Sequence, residues 1–94
     1  MAANSAVTLN LPGLPAGTSA VILNVTVTAP ANSGYLTVYP GSGAAPTTSN
    51  LNFSAGETIP NLVVVAVTNG KVSFFNGSSG TVHVIADLFG AYAQ

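Results

Sequence analysis

Cysteine and tryptophan are both missing from this 94-residue chain, which carries one histidine, one basic and two acidic side chains. Without cysteine there is no disulfide, no thiolate nucleophile and no thiolate metal site. The lone cation, Lys71, excludes the basic footprint that releases counterions from a nucleic-acid backbone, and it excludes electrostatic adhesion to anionic lipid. Thr, Asn, Gly and Pro interrupt every apolar run well short of the roughly 20 residues of a membrane-inserting helix. The start, MAANSAV, shows neither the basic region nor the apolar core of a signal peptide, and the chain reads as an excised domain with an added start methionine.

The charged fraction is 3%, against about 25% in an ordinary globular domain. The surface must therefore be built from Ser, Thr, Asn, Gly and Ala. Such a neutral coat of hydroxyls and amides suits a chain outside the cell, or one packed among copies of itself, because low net charge lowers the barrier to self-association. Enzymatic activity is not expected, and no catalytic residue is assigned. The acid–base candidates are His83, Asp87 and Glu57. His83 and Asp87 share a strand face but stand four residues apart, ~13 Å along an extended chain and too far for a dyad. A structural role is expected for Asp87, its carboxylate bonding the backbone N–H groups of a turn, and a partly buried setting for His83. One histidine and two carboxylates do not make a zinc or calcium site, so no metal and no cofactor is expected.

What the chain does have is apolar residues, 48% of the total, arranged with a period of two. In AVTLNL, Val7, Leu9 and Leu11 alternate with polar residues. In SAVILNVTVT, Val21, Leu23, Val25 and Val27 share one face. YLTVY puts Leu36 and Val38 inward, SNLNFS does the same with Leu51 and Phe53, and TVHVIADLFGAYA lines up Val82, Val84, Ala86 and Leu88. The segments PGLPAG (Pro12 to Gly17), APANSG, PGSGAAPTT, AGETIP and NGSSG read as turns and loops. NLVVVAV is apolar on both faces and reads as a central, doubly covered strand. Asn69-Gly70 is a strong hairpin signal, since a type I′ turn needs positive φ at both central residues. A two-residue loop sets Val67 opposite Val72 and Val65 opposite Phe74. That pairing predicts a hairpin apolar on both faces, buried at the centre of the molecule, and Gly90 marks a bulge or bend in the last strand. The fold expected is a single all-β domain over residues 1–94, an antiparallel two-sheet sandwich of about seven strands, with a small closed barrel as the alternative.

Taken in order, AVILNVTVT, GYLTVYP, TSNLNF, ETIPNLVVV, GKVSFFN and VHVIADLFGAY resemble a β-rich accessory domain of secreted and cell-wall proteins of actinobacteria, where it often stands beside hydrolase domains. The resemblance runs from Gly13 to Tyr92. It lacks the Leu-Asp-Thr-Arg-like segment with which such domains often begin. It implies secretion, cell-surface association and an accessory role, and supplies no ligand.

One uncharged constellation suits binding. Tyr35, Thr37 and Tyr39 share the outward face of one strand, and Asn50 and Asn52 that of the next. Phenols stack on sugar rings and carboxamides bond sugar hydroxyls, neither needing charge. The same residues also suit a plain solvated sheet face. Two functions follow: attachment to cell-wall glycan or other extracellular polysaccharide, or a structural unit that packs against copies, as a homo-oligomer, or against neighbouring domains. Nucleic acid and membrane insertion are not expected.

Overall fold

The computed structural model describes residues 1–11 and 13–93. Seven strands follow one another: β1 (Ser5–Asn10), β2 (Thr18–Thr28), β3 (Gly34–Pro40), β4 (Leu51–Phe53), β5 (Ile59–Ala66), β6 (Lys71–Ser78) and β7 (His83–Ala93). They form a four-stranded sheet in the order β1-β6-β3-β4 and a three-stranded sheet in the order β5-β2-β7, every pair antiparallel. The architecture is a two-sheet sandwich without a closed barrel, and no helix among the described residues is long and apolar enough to cross a membrane. Pro12, where the sequence starts its first turn, lies outside the described residues.

The period of two translates directly into layers. β2, the central strand of its sheet, buries Val21, Leu23, Val25 and Val27 completely or nearly so. Facing them are Leu36 and Val38 of β3, Leu51 and Phe53 of β4, and Val72 and Phe74 of β6. Full burial of each such side chain contributes about 1.5–3 kcal/mol, and the β-branched residues fit a pleated surface at small rotamer cost. The expected bulge is present in β7, where the register with β2 slips between Leu88 and Gly90.

The Asn69-Gly70 turn forms as expected, with φ of 53° and 71° and reciprocal main-chain bonds between Thr68 and Lys71. The hairpin beyond it does not. Thr68↔Lys71 is the one pair it makes: beyond it β6 is flanked by β1 and β3 while β5 pairs with β2, with Val67 donating its amide to the Ser19 carbonyl at 3.0 Å, so the two strands enter opposite sheets. Val65 pairs with Val21, while Phe74 lies between Val7 and Val38. The inward set survives, because Val63, Val65, Val72 and Phe74 are buried from opposite sides of the same core. The reading of NLVVVAV as a doubly covered central strand is corrected: β5 is an edge strand, and Val64 on its outer face is 60% exposed.

The segment NGSSG is a second correction. Asn76, Gly77 and Ser78 belong to β6, not to a turn. Asn76 is fully buried, and its Nδ2 donates to the carbonyls of Ala2 (3.0 Å) and Gly80 (2.9 Å). The Ser78 hydroxyl donates to Asn76 Oδ1 at 2.7 Å. This knot ties the N-terminal segment and the β6–β7 turn to one strand. Asn76→Ala should lower unfolding stability by about 1–3 kcal/mol in urea, since it removes the hydrogen bonds of a fully buried side chain and a partner of the buried Ser78 hydroxyl. A paired comparison tests the edge position of β5. Val65→Asp should abolish folding by circular dichroism, with a loss above ~4 kcal/mol, whereas Val64→Asp should stay within about 0.5 kcal/mol of the parent.

Candidate functional site

The outer face of the four-stranded sheet carries a third layer, the segment between β3 and β4. Three hydroxyls on that face hold it down. Ser73 Oγ donates to the Gly41 carbonyl at 2.6 Å and Tyr39 Oη to the Gly43 carbonyl at 3.1 Å, while Thr37 Oγ1 donates to the Thr48 carbonyl. Thr8 of β1 supports Ser73 through a hydroxyl pair of 2.8 Å. At the far end Asn50 completes the ladder that the short β4 leaves unfinished: its Oδ1 accepts from the Val38 amide at 2.7 Å and its own amide donates to the Leu36 carbonyl at 2.8 Å. Asn61 of β5 then reaches across the sheets to the Asn50 carbonyl at 2.6 Å.

Thr37 and Tyr39, read from the sequence as outward and open, do face outward but are buried under this strap, and Asn50 is half-buried. Their polar groups are spent on holding the chain in place. Tyr35 and Asn52, opposite each other in the β3–β4 ladder, are exposed together. The residue the alternation did not select is Phe75, on β6. Its ring lies 6.2 Å from that of Tyr35 at 45°. Gly77, across the ladder from Tyr35, makes room for the pair, because a Cβ there would overlap the Tyr35 ring. Phe75 follows Phe74 in a run where both faces look apolar, and only the strap shows that the outer one is partly covered.

Tyr35 and Phe75 floor a cleft of about 540 Å³ whose wall is the end of the strap, Ala45 to Ser49. The wall offers the hydroxyls of Thr47, Thr48 and Ser49, and no lining side chain carries a charge. An aromatic floor beside neutral hydrogen-bonding groups can take a planar or ring-shaped uncharged ligand.

The acid–base candidates lie elsewhere and apart. His83 and Asp87 are exposed on the outer face of the three-stranded sheet, beside Thr28 and Asn24. Neither occupies the buried setting inferred from its neighbours, because β7 is an edge strand whose outer face is bare. The turn-bonding carboxylate is Glu57, whose Oε1 accepts from the Ser54 amide at 2.9 Å. Among the described residues no three His, Asp or Glu side chains come together as a metal site. A second cleft, of about 670 Å³, opens between the sheets where β1 and β7 form the same side of the sandwich.

Comparison with protein-family models, with curated proteins and with solved structures returns no match.

The strap has its own test. Thr37→Val with Tyr39→Phe should leave the sheets intact, reduce stability by about 2 kcal/mol, and make the strap the first site cut in limited proteolysis.

Proposed function

We propose that this chain is a non-catalytic extracellular module that attaches its parent protein to a neutral glycan of the cell wall or surrounding matrix through the Tyr35–Phe75 cleft. The observation that carries this reading is the exposed phenol of Tyr35, seated over Gly77 against Phe75 and walled by hydroxyls, in a cleft without charge. A sugar ring presents a C–H face to an aromatic plane and hydroxyls at its rim, which matches floor and wall. The resemblance to accessory domains of secreted and cell-wall proteins supports the location.

A second reading, packing against copies or a neighbouring domain, draws support from the opposite side of the molecule. There the three-stranded sheet leaves Leu62, Val64, Ile85 and Tyr92 exposed. Uncovered apolar surface of this kind marks interaction sites in soluble proteins.

Co-sedimentation with purified cell wall and with insoluble neutral glycans tests the first reading. Wild-type protein should be retained, Tyr35→Ala should lose at least about tenfold in retention, the scale of one aromatic stacking contact, and Gly77→Ala should weaken it by displacing the ring. Equal retention of Tyr35→Ala, with its circular dichroism unchanged, would falsify the assignment of the cleft.

A further inference from the structure

We infer that β7 is a self-pairing edge: two copies join β7 to β7 antiparallel about a twofold axis at Ile85, with His83 of each facing Asp87 of the other. This rests on the reading of the chain as one that packs against copies, and not on the glycan cleft.

The first observation is a free edge of known polarity. β7 has β2 as its one neighbour among the described residues. The bond from the Val67 amide to the Ser19 carbonyl shows that odd-numbered residues of β2 turn their main-chain groups toward β5. Even-numbered ones therefore serve β7, at Thr28↔His83, Thr26↔Ile85 and Asn24↔Asp87. The main-chain groups of Val84, Ala86 and Leu88 are left pointing outward. Met1 confirms the alternation, since its terminal amine donates to the Val82 carbonyl at 2.6 Å and the Val82 amide donates to the Met1 carbonyl at 3.1 Å. Met1 closes the edge at Val82 and the bulge ends it after Leu88, so residues 83–88 form the open stretch.

The second observation is what that stretch lacks. An edge strand is ordinarily blunted by Pro or Lys. β5 has Pro60 at a position whose amide would otherwise point outward. Residues 83–88 of β7 contain neither.

The third is charge complementarity. Outward groups meet outward groups only if the twofold falls on a residue, and Ile85 and Ala86 are the central choices. On Ala86, Asp87 would face the partner's Ile85. On Ile85, Val84 exchanges main-chain bonds with the partner's Ala86, and His83 faces the partner's Asp87 twice over. These are non-hydrogen-bonded positions, where opposed side chains come closest. A neutral imidazole donates its N–H to the carboxylate, and a charged one adds an ion pair. The pairing also covers apolar groups that the isolated sandwich leaves open along this side: Val7 (48% exposed), Leu9 (40%) and Leu88 (51%) face inward beside the seam.

Sedimentation equilibrium on the full chain tests this. Wild type should be a dimer. His83→Asp, which opposes carboxylates at both contacts, should raise the dimer dissociation constant about tenfold or more. The swap His83→Asp with Asp87→His should restore it. Both sites are exposed, so unchanged circular dichroism is expected in each variant. A wild-type monomer at high concentration overturns the inference together with the self-packing reading. A dimer indifferent to His83→Asp, or a swap that does not recover, overturns the β7 register while leaving self-packing through another surface.

Discussion

β6 takes β1 and β3 as its ladder neighbours and β5 takes β2, and the two-layer arrangement depends on that division beyond the Asn69-Gly70 turn. Had the Asn69-Gly70 turn continued into a ladder, β5 and β6 would share a sheet and the apolar sets on their two faces would need separate covers. With β5 handed to β2, Val63 and Val65 meet Val72 and Phe74 from across the core, and one hydrophobic layer serves both sheets. The turn acts as a corner between sheets. Its main-chain bonds close the corner, and the pairing beyond it is settled by which neighbours can bury the valines.

The scarcity of ions sets the second rule. In most small domains charged side chains supply the solvated skin and some cross-links. Here the cross-links are hydroxyls and carboxamides aimed at main-chain carbonyls: Ser73 to Gly41, Tyr39 to Gly43, Thr37 to Thr48, and Asn76 to Ala2 and Gly80. Among the described residues no buried side-chain polar atom lacks a partner. Neutral bonds of this type are little affected by salt, in contrast to surface ion pairs. A side chain that looks free for a ligand is thus often already committed to holding a neighbouring segment.

That commitment explains where the sequence is legible and where it is not. Alternation alone identifies the inward residues of β2, β3 and β4, because burial on one face is a local property of the pattern. Strand partners are not local. A two-residue loop normally propagates its register, but β1 and β3 occupy both sides of β6, so β5 leaves it after one pair and joins β2. Thr37 and Tyr39 face outward as their parity demands. Their burial comes from a strap of small residues whose path no periodicity encodes. Asp87 sits between apolar neighbours yet is exposed, since only the sheet order reveals that β7 is an edge. The role foreseen for it falls to Glu57, whose turn is short enough for its carboxylate to reach back to Ser54.

The remaining surfaces follow from how each edge is finished. Asn61 bridges the sheets on the β4–β5 side, and Pro60 blanks part of the edge of β5. On the β1–β7 side the sheets stand apart and β7 offers its main chain to solvent. The Tyr35 cleft is on the outer face of the four-stranded sheet, clear of this edge. A twofold axis that joins β7 strands into a continuous sheet runs along the sheet normal. It therefore turns both four-stranded sheets, and both clefts, toward the same side. In the proposed dimer, two such clefts aimed in one direction would engage a repetitive neutral surface with an effective concentration far above that of either site alone. The proposed self-pairing and the proposed attachment would then share one geometry, in which the edge that lacks protection arranges the clefts that lack charge.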